Sequence, residues 1–284
     1  MGKIILSPTS IINSFCFSPI NMKNILLFIC TLVTLSSYAQ KKCGHVNYEY
    51  IMPAEKLVMK ESTLFFNDSV SKFVFDKIDH AITPESKIKT DVNSISLSFS
   101  STDEQGSSVF RNFLNETILV REAKTEKLFE SFLYEDTWVK IDWEIQENTK
   151  KIGKYTCKKA IGDFRGRTYI AWFTEEIPLP YGPWKLHDLP GLILQAEDTE
   201  KMFRATFKSI TYPTACETSD LERPTAAEIK TLKEYVDFLD NYNDIVFQKM
   251  QSRLPRHLAN NMQQISKPDN GRKYRDEKVF EWEK

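Results

Sequence analysis

From His45 to Tyr212 the chain is a succession of short runs in which apolar residues take every second place. HVNYEYIM (45–52), ESTLFFN (61–67) and SVSKFVFD (69–76) open the series. Ile95, Leu97 and Phe99 alternate with serines, and 107–114, 117–121, 127–134 and 138–145 continue it. Lys154–Phe164, Arg167–Thr174, Leu192–Glu197 and Met202–Tyr212 complete it. Alternation of period two predicts strands buried on one face. No helical spacers separate the runs, so the strands pair mostly antiparallel. Asn67-Asp68 between two runs predicts a hairpin. The polar stretch 78–93 reads as a loop. The absence of a fixed-period repeat argues against a propeller or solenoid.

The pattern changes at Pro224. Thr225-Ala226-Ala227-Glu228 fits a capping box. Ile229, Leu232, Val236, Leu239, Val246 and Met250 then recur mostly at spacings of three and four, interrupted by Asn243. This predicts one long amphipathic helix over 224–255, packed on the sheet. The end, 256–284, is charged and reads as an exposed tail. The fold class expected is therefore mainly β (a β-rich α+β chain): a large curved antiparallel sheet or half-barrel over 40–223, with one long C-terminal amphipathic helix.

The start of the chain carries a targeting signal. Lys23 precedes an apolar run from Ile25 to Leu35, followed by Ser36-Ser37-Tyr38-Ala39-Gln40. A positive n-region, a short apolar h-region and small residues before the cut predict a signal peptide cleaved near Ala39. Met22 stands just before Lys23, so translation can begin there. Lipid attachment is disfavoured, because Ile29 and Lys42 precede Cys30 and Cys43. No other segment is apolar enough to cross a membrane. The expected product is periplasmic or secreted, with residues 1–39 as a leader.

Composition excludes some functions. Lys plus Arg number 38 against 39 Asp plus Glu, so no basic surplus exists for nucleic acid. Nine glycines against 19 phenylalanines and 11 tyrosines leave little for phosphate-binding loops. Cys43, Cys157 and Cys216 remain after export. A Cys157–Cys216 disulfide is preferred, since both lie in the β region, with three unpaired thiols as the alternative. His45, His80, His187 and His257 show no ligand spacing, so no metal and no cofactor are expected.

Residues 164–198 read FRGRTYIAWFTEEIPLPYGPWKLHDLPGLILQAED. Prolines at 178, 180, 183 and 190 fix φ and remove backbone donors, so Ile177–Gly191 is neither central strand nor helix. Gly182-Pro183 marks one turn. Pro190-Gly191 suits a type II turn with Gly191 at φ > 0. Tyr181 and Trp184 can fold back over a core.

Tyr155–Ala160, Arg165-Gly166-Arg167, Ala171–Thr174, Ile177-Pro178, Gly182-Pro183-Trp184 and Leu189-Pro190-Gly191-Leu192-Ile193 resemble the GLPGLI family of exported Gram-negative bacterial proteins. The resemblance covers residues 150–198. Asp188 stands where the family's motif has its first Gly, and Asp tolerates left-handed backbone. The resemblance implies an exported protein, often associated with outer-membrane transport, and brings no catalytic residues.

Candidate ligand contacts are Trp172, Trp184, Tyr181, Arg165, Arg167 and His187. Each also has a plainer reading: Trp172 as core, Trp184 as the seal of a core edge, Arg165 and Arg167 as solvated arginines of a hairpin turn, His187 as surface. His187 and Asp188 could form an acid–base set, but neighbours on an extended segment point to opposite faces. The function expected is a non-catalytic envelope protein that binds or carries an apolar ligand (lipid or peptide) or a partner protein. The alternative is a periplasmic hydrolase acting on peptides or glycans through carboxylates or His187.

Overall fold

The computed structural model describes residues 42–52, 58–75, 88–91, 94–97, 103–124, 129–253, 256–260 and 272–284. The expected leader lies outside them. The strands in chain order are β1 (Cys43–Met52), β2 (Val58–Phe66), β3 (Val70–Phe75), β4 (Ile88–Asp91), β5 (Ser94–Leu97), β6 (Ser107–Asn112) and β7 (Thr117–Glu122). There follow β8 (Phe132–Asp136), β9 (Trp143–Ile152), β10 (Tyr155–Phe164), β11 (Arg167–Thr174), β12 (Leu192–Asp198), β13 (Arg204–Thr214) and β14 (Glu228–Thr231). β4 and β5 pair only with each other, so part of the expected loop over 78–93 is strand. The other twelve form one sheet, ordered β14-β8-β7-β6-β3-β2-β1-β13-β12-β11-β10-β9. Its pairs are antiparallel except β14 with β8, which is parallel.

Alternation fills one face. Tyr48, Tyr50, Leu64, Phe66, Phe73 and Phe173 are buried. The other face of β1 and β2 carries a polar ladder in which Asn47 accepts from Thr63 and Glu49 pairs with Lys208. Asn67 holds the β2–β3 turn, its Oδ1 accepting from the backbone N–H of Ser69 and of Val70 at 2.9 Å.

The sheet is rolled. β8 and β10 stand nine steps apart in the order, roughly 43 Å in a flat sheet at about 4.8 Å per strand. Yet Arg165, after β10, lies 2.7 Å from Asp136 at the end of β8. Residues 137–142, predicted to belong to a strand, instead carry the chain across this gap from β8 to β9. No hydrogen-bonded pair joins β9 to β14 among the described residues, so the sheet is not closed.

The C-terminal expectations need correction. Residues 224–255 do not form one long helix. Glu228–Thr231 is claimed by β14, which leaves Ile229 84% exposed. The helix begins at Leu232, because a second capping box wins: Glu234 N–H donates to Thr231 Oγ1 at 3.2 Å and Thr231 N–H to the Glu234 carboxylate at 2.7 Å. That helix ends at Asp240, and a second spans Tyr242–Gln251. Tyr235 of the first stacks on Tyr134 of β8 at 4.2 Å. Residues 272–284 are no exposed tail either. Phe280 is 1% exposed, and the N–H groups of Lys278 and Val279 donate to the Arg165 carbonyl. Of its charges, Glu277 is buried against Arg165, and Arg272 and Arg275 pair with Asp240.

Candidate functional site

Between β11 and β12 the proline-rich segment enters the roll and fills its concave face. Its backbone is satisfied locally: Leu186 N–H donates to Pro183 O at 3.1 Å, Ile193 N–H to Tyr181 O at 2.9 Å and Leu192 N–H to Ile177 O at 3.0 Å. Glycine is needed twice for close approach. A Cβ on Gly182 would sit 2.7 Å from both Ile193 Cδ1 and the Leu186 carbonyl. One on Gly191 would overlap the Thr174 carbonyl. Gly191 is not at positive φ, so the type II turn expected at Pro190-Gly191 is corrected: the constraint there is space. The left-handed residues of the segment are Trp184, at φ 51, and Asp188, at φ 72. Pro183, Leu189, Leu192 and Ile193 are all buried.

The predicted ligand contacts separate into three places. Trp184 packs against Phe203 and Phe164 in the interior, with centroids 5.7 and 5.8 Å away. Trp172 lies on β11, half-buried, with Lys150 Nζ 4.2 Å from its ring centroid. Tyr181 and His187 lie together near one end of the roll.

Arg165 and Arg167 are not solvated. Arg165, at φ 42, and Gly166, at φ 82, make the left-handed two-residue turn between β10 and β11. The Arg165 guanidinium is buried against Asp136, Glu277 and Glu281. Lys185, a residue the sequence did not single out, joins the same carboxylates, 2.7 Å from Glu277. Burial would raise the Asp136 carboxyl, but the Lys185 and Arg165 charges outweigh it and hold it below the usual range. Arg167 pairs with Asp198 and Glu200 and donates to the Lys273 and Arg275 carbonyls. Thus both arginines clamp the C-terminal segment into the roll.

The cysteines are also corrected. Cys43 and Cys216 form the disulfide, with Cα atoms 5.1 Å apart, because β1 pairs directly with β13. Cys157 lies on β10, three strands from β13, buried and free. Burial pushes its thiol up to about 11, so it is an unreactive core thiol.

The second charged group has unmet hydrogen-bonding capacity. His187 Nδ1 lies 2.7 Å from Asp188 Oδ1, without the alignment of a hydrogen bond. The left-handed backbone at Asp188 turns its carboxylate to the same side as the imidazole, against the alternation rule for extended chain. Ile141 N–H donates to Asp188 Oδ2 at 3.2 Å, and Trp143 Nε1–H to His187 O at 2.7 Å. Burial lowers the His187 pKa; Asp188 opposes and Arg111 adds to the lowering. For Asp188, burial is outweighed by His187, the Ile141 amide and Arg111, so its carboxyl lies below the ordinary value.

Aromatic rings cover this pair. Trp138 lies 4.7 Å from His187 by centroids, Phe113 5.1 Å from Trp138 and Tyr181 4.5 Å from Phe113. Behind them Arg111 of β6 is 0% exposed. The site thus combines a cation, a carboxylate, a neutral imidazole and an aromatic rim.

Sequence reasoning missed Arg111, Trp138 and Phe113. Arg111 shares the inward-facing register of Val109 in β6, and a charged residue at a core-facing place was the available signal.

The sequence matches no protein-family model and no curated protein. Two solved structures, of PNGF-II in the P21 and C2 space groups, are similar at 17% identity, with TM-scores of 0.47 and 0.48. They cover 69% and 73% of this chain and 32% and 33% of their own, so the chain spans about a third of their length.

Proposed function

We propose that this is an exported GLPGLI-type envelope protein that works by binding a ligand or partner and breaks no bonds. One observation carries the reading: the basic side chains Arg165, Arg167 and Lys185 of the signature are engaged by carboxylates inside the chain. Arg165 and Lys185 share Asp136 and Glu277, and Arg167 takes Asp198. A general acid or base must exchange protons with a substrate, and carboxylates locked between two cations are poorly suited to that. The concave face is occupied by Trp184, Leu186 and Leu189, so the ligand surface is the aromatic rim around Phe113 and Trp138 rather than a long apolar groove. Export is supported by the Cys43–Cys216 disulfide, which suits an oxidising compartment. A role alongside outer-membrane transport follows from the family resemblance. Among the described residues no helix is long and apolar enough to cross a membrane.

The proximity of His187 and Asp188 is what favours a hydrolase instead. However, His187 is 1% exposed beneath Trp138. Native mass spectrometry of protein isolated from its own envelope tests the choice. A co-purifying ligand is expected. Ligand-free protein that hydrolyses a peptide or glycan panel overturns the binding reading.

A further inference from the structure

We propose that Arg111 is the recognition residue of a carboxylate-binding site at the aromatic end of the roll, taking a monoanion with a small apolar body. The assignment rests on the binding reading above.

Arg111 Nη1 donates to Ser71 Oγ at 3.3 Å. Its Nε and Nη2 have no partner among the described residues, although both are buried. Those two nitrogens lie on one edge of the guanidinium. Their N–H bonds run parallel and form the fork that holds both oxygens of a carboxylate. Leaving a buried fork empty is costly, and neighbouring groups do not fill it. The Tyr48 hydroxyl donates to the Ile193 carbonyl at 2.6 Å. The Asp188 carboxylate is engaged by the Ile141 amide and lies against His187, so it acts on Arg111 through charge without closing the fork. Burial lowers the Arg111 pKa to about 9, which leaves the guanidinium charged at neutral pH.

The surroundings select the anion. The Asp188 charge penalises a dianion, so a carboxylate is preferred to phosphate. The flank is apolar: Phe113, Trp138 and Tyr181 line it, and Leu114 at its outer edge is 81% exposed. Phe113 and Trp138 are only partly buried, so the rim over the fork is reached from solvent at these two rings.

Benzoate, acetate, inorganic phosphate and chloride, titrated at equal ionic strength into the full chain, test this. The readouts are the thermal midpoint and the buried arginine Nε–H resonances. Benzoate should raise the midpoint saturably and shift one such resonance. Acetate should act more weakly. Phosphate should need about tenfold higher concentration, and Arg111→Lys should weaken the benzoate response by about tenfold or more, the effect of losing one bidentate contact. An unmoved Nε–H resonance in the unmutated protein, an equal response to phosphate, or an unchanged response in Arg111→Lys overturns the assignment. Envelope-isolated Arg111→Lys protein that keeps its ligand at wild-type occupancy overturns Arg111 while leaving the binding reading intact. Absence of ligand and of benzoate response in the unmutated protein overturns both.

Discussion

Arg165 and Asp136 stand 2.7 Å apart across the interior, although their strands lie at opposite ends of the sheet order. The pair therefore holds the rolled shape as well as a local contact. Removing the Asp136 carboxylate leaves Arg165 and Lys185 with Glu277 and Glu281 as acidic partners, and breaking such a buried pair costs up to about 3–5 kcal/mol. Asp136→Asn should lower stability on that scale by denaturant titration. A change under about 1 kcal/mol would show that the roll does not depend on this clamp.

At Gly191 the constraint is steric. Gly191→Ala puts a methyl into the Thr174 carbonyl at the end of β11 and should destabilise by about 1–3 kcal/mol, as overpacking does. Asp188→Asn, which keeps a residue tolerant of left-handed backbone, should cost less. Thermal melts of the two variants check the order, and the reverse order contradicts the geometry.

The disulfide closes a loop of sequence separation 173. Its loss should lower stability by about 2–5 kcal/mol. Dithiothreitol should lower the melting temperature of the wild type and of Cys157→Ser, and leave Cys43→Ser unaffected. A reductant-insensitive wild type would refute the pairing.

Asp276 gives stability a pH dependence of unusual sign. Burial first, and the Glu277 charge second, raise its carboxyl to about 8; Arg167, Tyr50 and Lys185 oppose that, and Tyr169 donates to its carbonyl. In the unfolded chain the group titrates near 3.9. Between those values the folded state holds the extra proton, so this contribution to stability falls as pH rises and is fully lost above about 8. His187 has the opposite sign: its lowered pKa makes stability rise with pH up to about 6.5, and its contribution is constant above that. Melting temperatures at pH 6.5 and 8 should therefore fall in the wild type and fall less in Asp276→Asn. An equal drop in both would remove Asp276 as the cause.

Much of the β architecture was legible because alternation is a local property. Tyr48, Tyr50, Phe73 and Phe173 face the core wherever their strands pair. The Asn67 turn and the exclusion of 177–191 from strand or helix also follow from local backbone chemistry. The candidate site was legible only in part. His187 and Tyr181 were marked, but the alternation rule wrongly set Asp188 apart from His187.

What the sequence by itself determined is most of the antiparallel strands (not β4 or β14), the turn at Asn67 and the non-regular path of the proline segment, because period-two burial and fixed φ act within a few residues. Tertiary structure alone decided which charges meet, which cysteines pair and where the last helices begin. Arg165 meets Glu277 across 112 residues, Cys43 meets Cys216 across 173, and β14 takes Glu228 from the helix by pairing with β8. Each of these choices depends on which distant segment arrives at the same place, and rolling the sheet sets that.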